Sequence, residues 1–220
     1  MPRGRQPQVT MSGFSLGRPA LVCRWRLAGR SLPLENRHLR ALGQRTVNGA
    51  AVSVQLVAWA KQHIEWTLSD GAALYPDGVL MTVVDEAGSA AMAVGPYEPL
   101  ARTTALALAR RAARSAQEGE RTGVSPETLW ALSDGRLLWS AGRDEAAAGT
   151  ASLVCDLART LGFVVERDEG LVERALAGED KPAEVFLASD EHGVVLASNA
   201  QGPSSQRFAA GYEKLLATRR

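Results

Sequence analysis

The run Asp190-Glu191-His192 is the part of this sequence whose residue types could carry out acid–base chemistry. A histidine changes its charge near neutral pH, and an adjacent carboxylate can orient its ring or exchange a proton with it. Apolar segments at residues 184–188 and 194–198 flank the run, so it lies in the turn between two strands. It therefore predicts either an acid–base device beside a pocket or a solvated turn, and both interpretations stay open.

The other reactive side chains form no recognised motif. The three histidines are too scattered in sequence to share a metal ion, so we predict no metal site. Ser140 and Ser152 lack the G-x-S-x-G context of a hydrolase nucleophile, and no glycine-rich loop matches a nucleotide-binding fingerprint. Cys23 and Cys155 lie far apart and are predicted to be buried, reduced thiols.

Charge and hydropathy exclude several partners. The formal net charge is +1 and 45% of the residues are hydrophobic, which is typical of a globular protein with no attraction to nucleic acid or anionic lipid. No apolar run approaches the ~20 residues that cross a bilayer. No apolar segment follows Arg3 and Arg5, as a secretory signal would require. We therefore expect a cytoplasmic protein, and its alanine, arginine and glycine content suggests a bacterial source.

The elements that must position these residues follow from periodicity and turn chemistry. In the first half we predict strands at 20–27 and 32–34, a hairpin of 78–85 with 90–94, and helices at 35–44, 52–67 and 103–117. Within the helix at 52–67, the residues predicted to face inward are Val54, Val57, Ala58 and Ile64. The helix at 103–117 carries three arginines that form either an anion patch or a solvated face: Arg110, Arg111 and Arg114.

The second half alternates strands and helices. Strands at 129–132 and 136–140 pair across the turn Ser133-Asp134-Gly135, and a helix at 150–161 ends at Gly162. An edge strand at 163–167, a helix at 171–176, strands at 184–188 and 194–198 and a helix at 208–218 complete the chain.

These patterns predict an α/β protein, with an α+β N-terminal subdomain and an α/β C-terminal subdomain. The predicted boundaries are a disordered tail at 1–19, the N-terminal subdomain at 20–118, a linker at 119–127 and the C-terminal subdomain at 128–220.

Five strings occur in an order that resembles a known family. They are VCRWRLAGRSLPLENRHLRAL, GVLMTVVDEAGSAAMAV and LARTTALALARRAA in the first half, then SPETLWALSDGRLLWS and EVFLASDEHGVV in the second. Their order resembles the class IV (fold type IV) pyridoxal-phosphate (PLP) enzymes, which include branched-chain aminotransferases, D-amino-acid aminotransferase and aminodeoxychorismate lyase. The resemblance implies a D-amino-acid aminotransferase-like fold and a dimer whose cleft is completed by the partner.

The resemblance also implies a lysine that forms an imine with PLP, and that position holds Arg102. A guanidinium stays protonated and cannot form the imine. The only lysines, Lys61, Lys181 and Lys214, fall in segments far from this position, unless the correspondence is misplaced and one of them serves.

For the cofactor phosphate, the resemblance implies a backbone cradle at Gly149-Thr150-Ala151, where a helix begins, because helix N-termini bind anions. Two arginines of the family correspond here to Ala41 and Ser152. The phosphate-contacting loop corresponds to Ser189 and Asp190, and the carboxylates of Asp190 and Glu191 would repel a dianion.

The carboxylate that would protonate the pyridine nitrogen corresponds to Gly123, with Glu118, Glu120 or Glu127 as substitutes if the linker turns inward. The chain also lacks a strand pair that the family places between residues 116 and 123. We therefore expect no cofactor and a pseudoenzyme, acting as a partner subunit in a homodimer or in a heterodimer with an intact relative, or binding a small carboxylate. The alternatives are an active PLP-dependent aminotransferase or lyase and a PLP-independent enzyme on the same scaffold.

Overall fold

The computed structural model describes residues 15–133, 135–179 and 182–217. Most of the predicted tail, together with Asp134 of the predicted turn and Lys181, lies outside these ranges. None of the described helices is long and apolar enough to cross a membrane.

The first sheet has three antiparallel strands in the order β1-β4-β5: β1 (Pro19–Arg26), β4 (Val79–Asp85) and β5 (Ala90–Gly95). Alternate residues of β1 point to one face, and this face packs against helices α1 (Glu35–Leu42) and α2 (Val54–Gly71). A short hairpin of β2 (Thr46–Val47) and β3 (Ala50–Ala51) joins the two helices. The core of this half is built from Leu21, Cys23, Trp25 and Leu27 with Leu42 and Ile64.

Two predictions for this half are wrong. Residues 32–34 form a turn rather than a strand, because Pro33 has no amide hydrogen and Leu34 adopts a left-handed φ of 62°. Val54 is 82% exposed and Ala58 is also exposed, because the buried face of α2 is centred on Ala60 and Ile64. The predicted strand at 20–27 and the hairpin of 78–85 with 90–94 are confirmed, each to within one residue at its ends.

The second sheet has five strands in the order β10-β9-β6-β7-β8. Its strands are β6 (Glu127–Ser133), β7 (Arg136–Trp139), β8 (Val164–Arg167), β9 (Glu184–Ser189) and β10 (Gly193–Leu196). Only β7 and β8 run parallel among the described pairs, and β8 is the predicted edge strand. The helices are α3 (Ala105–Thr122), α4 (Gly149–Leu161), α5 (Leu171–Ala177) and α6 (Pro203–Ala217).

Helix α3 is longer than predicted. It continues through residues 119–122, where the sequence suggests a linker, and it ends at Gly123, whose φ of 81° only glycine adopts without strain. Leu108, Ala109 and Ala112 of α3 are fully or almost fully buried in a cluster with residues of β6, β9 and α5. The predicted domain boundaries stay a prediction.

The two sheets meet along α1 and α4 and along β1. Arg37 of α1 donates to Asp156 (2.6 Å) and to Ser152 Oγ (3.0 Å) of α4. The amide of Arg26, the last residue of β1, donates to the carbonyl of Asp190 in the turn between β9 and β10 (3.0 Å). The Arg37 bonds join α1 to α4, and the Arg26 bond holds the Asp190 turn beside the first sheet.

Candidate functional site

A buried carboxylate covers the beginning of helix α4. Asp190 is 3% exposed, and its Oδ1 accepts the amide of Thr150 at 2.8 Å while Oδ2 lies 3.4 Å from the amide nitrogen of Gly149. The first amides of a helix have no partner within the helix and carry the positive end of its dipole. Asp190 therefore occupies the backbone donors that would otherwise be available to an external anion.

His38 lies on the other side of the same carboxylate. Its Nδ1 is 3.5 Å from Oδ2 of Asp190, the ring is 2% exposed, and it stacks on Trp25 with centroids 5.3 Å apart. The ring packs so closely on α4 that a Cβ at residue 149 would stand 2.7 Å from His38 Cε1 and closer still to Nδ1. Glycine is therefore required at position 149 by packing, since a larger residue would displace His38.

The environment of Asp190 favours its charged form. Burial alone would raise the pKa of this carboxyl, but His38, the amide of Thr150 and Arg45 together bring it below the usual value. Asp190 is consequently an anion at neutral pH, and α4 begins against a full negative charge.

A cavity of about 210 Å³ lies next to this turn, between β1, α3 and the end of β9. Charged residues of both signs dominate its walls. Those residues are Arg24, Arg111, Arg114, Glu118, Glu127 and Glu191. Glu118 is bound by Arg45 at 3.0 Å and Arg24 lies 3.9 Å from Glu191, whereas Arg114 is exposed and forms no ion pair with any described residue.

A bidentate ion pair closes one side of this cavity. Arg111 donates through Nε and one terminal nitrogen to Glu127, at 3.0 and 2.7 Å. Ser189 Oγ donates to the same carboxylate at 2.9 Å and accepts the amide of His192 at 3.0 Å. Ser189 is therefore directed at Glu127 and away from α4, whereas Asp190, the next residue, is directed at α4.

His192 is neutral in this network. Burial lowers its pKa to about 4, with the positive charge of Arg111 acting in the same direction and Glu127 opposing both. Arg111 lies 3.1 Å from Nε2 of His192, so this nitrogen is the acceptor and the proton is on Nδ1. The Asp190-Glu191-His192 run is therefore not a joint acid–base device: its aspartate caps α4, while its histidine accepts a hydrogen bond from an arginine.

Arg102 is not brought to this site. It is exposed, and the residues around it bond to the far end of β10: the carbonyl of Thr103 accepts the amide of Ser198 (2.9 Å), and the amide of Ala105 donates to Asn199 (2.8 Å). Asp190 precedes β10 and Ser198 follows it, so a whole strand separates the two positions, about 13 Å at the rise of a β-strand.

The remaining predicted residues are distributed as follows. The side chain of Ala151, in the first turn of α4, is buried in the core of this half, so only its backbone could face a ligand. Lys61 on α2 and Lys214 on α6 are exposed. Among the described residues, no group of three or more histidine, cysteine, aspartate or glutamate side chains is arranged to hold a metal ion.

Sequence reasoning missed two features, the pairing of His38 with Asp190 and the pairing of Arg111 with Glu127. One sequence signal points to the first: α4 begins after Ala148, which has no side-chain acceptor for the amides of the first turn. A helix that lacks its own N-cap requires an acceptor from elsewhere. No comparable signal marks the second pair.

Solved structures similar to this chain include aminotransferases and an aminodeoxychorismate lyase. The apo form of a hypothetical aminotransferase from Mycobacterium tuberculosis is 14% identical with a TM-score of 0.61, covering 99% of this chain and 98% of that chain. Its PLP-bound form is 12% identical with a TM-score of 0.59 and 96% of both chains covered. The 4-amino-4-deoxychorismate lyase from Pseudomonas aeruginosa is 17% identical with a TM-score of 0.57, again over 96% of both chains.

This chain has the class IV aminotransferase fold. No protein-family model matches the sequence, and no curated protein does. The likeness therefore rests on structure, and the predicted α/β, D-amino-acid aminotransferase-like class is confirmed.

The class IV fold implies PLP, and the residues of this chain do not fit it as they stand. The donors that would hold its phosphate at α4 are taken up by Asp190, and the arginine of α1 is replaced by buried Ala41. Gly123 ends α3 and carries no carboxylate, while Glu118 and Glu127 are each bound to an arginine. At the positions that the resemblance assigns to the cofactor, the described donors and carboxylates are bonded within the chain itself.

Proposed function

We propose that this class IV-fold chain does not bind PLP and is a pseudoenzyme, acting as a partner subunit or as a binder of a small ligand. The observation that carries this proposal is the buried carboxylate of Asp190 on the first amides of α4, where the fold implies a phosphate. A charged internal side chain that satisfies the same donors is a substitute for the cofactor's anion.

Electrostatics supports the proposal. At an effective dielectric constant of 20, two like unit charges 4 Å apart repel by about 4 kcal/mol, so a phosphate dianion beside Asp190 is strongly disfavoured. Moving Asp190 aside would leave a buried carboxylate without its amide partners, which is also costly. Both routes to a bound phosphate carry a penalty that the absent arginine cannot offset.

The missing amine supports it further. The position of the imine lysine is an exposed arginine, and Lys61 and Lys214 are exposed on helices that do not carry the cradle. Without an imine and without a phosphate anchor, the cofactor would have neither of the attachments that the resemblance implies.

The test is chemical labelling of the full chain. Protein is incubated with PLP, reduced with borohydride, and mapped by mass spectrometry, alongside a urea-denatured sample. We expect the three lysines to be labelled no more in the folded chain than in the denatured one. Stoichiometric labelling of a single lysine in the folded chain alone would establish the alternative, an active PLP-dependent aminotransferase or lyase.

A third function, PLP-independent catalysis on the same scaffold, would place its chemistry in the cavity beside β1 and α3. It requires a group able to transfer protons there, and the wall carboxylates Glu118 and Glu127 are held by arginines. Turnover of any small acid that is lost in a Glu191→Gln variant would favour it over the pseudoenzyme.

The ligand-binding form of the proposal rests on Arg114. This side chain lines the cavity of about 210 Å³ and has no ion-pair partner among the described residues, so it is available to a small carboxylate. Arg110 lies on the same helix, is also exposed, and does not line the cavity. It therefore offers a matched control.

Isothermal titration of the full chain with succinate tests this form. We expect binding that weakens at least about tenfold in Arg114→Gln and is unchanged in Arg110→Gln. Equal effects of the two substitutions would indicate a general charge effect and would contradict a site in the cavity.

A further inference from the structure

We infer that the groove between α3 and α5 is a docking surface for a basic amphipathic helix of a partner protein. The groove has a volume of about 740 Å³ and lies at the C-terminal half of α3, next to residues 140–145. It is separate from the cavity beside β1, and the inference does not depend on whether the chain binds PLP.

The floor of the groove is apolar. Ala113, Ala116 and Gly119 of α3 form a row of small residues, and Val172 and Leu176 of α5 stand opposite them. Leu176 is 39% exposed although it lies on the groove wall. A row of small residues lets another backbone approach closely, so an α-helix with large apolar side chains is the occupant that would fill this floor.

The rim of the groove is acidic. Its fifteen lining residues include five carboxylates and no arginine or lysine, in a chain whose net charge is +1. The carboxylates are those of Glu120, Asp144, Glu145, Glu169 and Glu173. A strongly acidic rim on a nearly neutral chain selects a cationic partner.

These carboxylates are not neutralised within the part of the chain that the structure describes. Glu145 accepts the amides of Ser125 and Gly142, and Glu169 accepts the amide of Arg143. None of the five forms an ion pair with a described residue. Arg167 lies near this rim, but its guanidinium donates to the backbone carbonyls of Gly142 and Glu145 rather than to these carboxylates. Carboxylates along an apolar groove that form no ion pair with a described residue provide sites for lysine or arginine side chains at its edges.

The apolar floor and the acidic rim together favour one kind of ligand, a basic amphipathic helix. A metal ion or a free polyamine would use the rim and leave the floor exposed, and a neutral helix would use the floor alone. A helix with an apolar stripe at i, i+3 and i+4 and lysines or arginines beside it uses both.

The probe is a fluorescein-labelled peptide of about 18 residues, ~27 Å as a helix, with a leucine stripe flanked by lysines. Fluorescence anisotropy with the full chain is compared for this peptide, a scrambled peptide without the stripe, and a peptide with glutamate in place of lysine. We expect saturable binding of the first only. Equal binding of the scrambled peptide would show charge attraction alone and would overturn the inference.

Variants locate the binding. Glu120→Gln with Glu173→Gln should weaken it about tenfold, and Leu176→Asp should abolish it. The matched control neutralises two exposed acids of α2, Glu65→Gln with Asp70→Asn, and should change nothing. Peptide binding unaffected by the groove variants would contradict the inference.

Sedimentation of the same proteins identifies the competing occupant. If the chain self-associates and Leu176→Asp alone makes it monomeric, the groove is covered by a second copy and the inference of a basic partner helix is wrong. We expect Leu176→Asp to leave the oligomeric state unchanged.

Discussion

At the scale of single residues, Asp190 occupies the donors at the start of α4. Its carboxylate combines the three conditions that stabilise a buried anion, namely backbone donors, the positive end of a helix dipole and a neighbouring imidazole. These are also the conditions under which a helix N-terminus holds a phosphate. One side chain therefore satisfies the free amides at the start of α4, which is the basis of the proposal that no phosphate binds there.

Replacing Asp190 by asparagine should destabilise the protein in a pH-dependent way. The pKa of Asp190 is lower in the folded chain than its unfolded value of about 3.9, so its stabilisation is fully present above that value and is lost as pH falls through the folded pKa. We expect Asp190→Asn to lower the free energy of unfolding by about 1–3 kcal/mol at pH 7, and by progressively less below pH ~4. Urea unfolding measured from pH 3 to pH 7 provides the comparison.

The control for that experiment is Asp70→Asn, since Asp70 is exposed on α2. It should leave the free energy of unfolding nearly unchanged at every pH. A constant difference between Asp190→Asn and the parent chain across the whole range would mean that the charge of Asp190 contributes nothing.

His192 should titrate well below an unperturbed histidine. Burial and Arg111 lower its pKa to about 4, so the neutral ring is favoured in the folded chain and protonation below the unfolded value of about 6.5 opposes folding. Stability that depends on neutral His192 is therefore present above pH ~6.5 and is lost as pH falls toward 4. NMR titration of the imidazole signals, assigned with His192→Gln, should show one ring still neutral at pH 5. A midpoint near 6.5 would contradict the described contact with Arg111.

At the scale of elements, the site is formed where α4 begins without a side-chain N-cap of its own. Ala148 provides no cap, Gly149 provides no side chain, and the space is taken by His38 from α1. The start of α4 is thus capped by a turn 40 residues away in sequence. It is also packed by His38 of α1, a helix that lies on the other sheet. A change at this point is expected to affect both halves of the chain.

Gly149→Ala should be strongly destabilising because its methyl group would overlap the His38 ring. We expect a loss of about 1–3 kcal/mol in the free energy of unfolding, as for other overpacked sites. Gly95→Ala is the control, since a Cβ there meets nothing within 4 Å and the backbone of that residue is unstrained. Similar losses for the two variants in urea unfolding would show that glycine flexibility, rather than His38, sets the requirement at position 149.

At the scale of the whole molecule, the association state stays a prediction that rests on the resemblance. Class IV sites are expected to be completed by a partner subunit, so we expect a homodimer, or a heterodimer with an intact relative. Large exposed apolar side chains at Val54, Trp66 and Leu74 are consistent with a surface that a partner covers. Sedimentation velocity over a range of concentrations, with and without a PLP-binding relative, is the measurement. A monomer under all these conditions would contradict the expectation.

The sequence by itself determined the elements and the residue types at the positions that the resemblance assigns to PLP chemistry. Alternation, turn residues and glycine C-caps located the hairpin of β4 and β5, the edge strand β8 and the end of α4, because these signals are local. The residue types at Arg102 and Gly123 excluded an imine and a pyridine partner at those positions without any coordinates.

Only the tertiary structure decided which side chains meet around the Asp190 turn. Asp190 meets Gly149 and Thr150, and Arg111 meets Glu127 within reach of His192, through contacts that no local pattern encodes. Asp190 and His192 lie in one turn yet contact different helices, Asp190 the start of α4 and His192 the Arg111 side chain of α3. Which charge pairs with which depends on how two sheets are brought together, and that is a property of the packed chain.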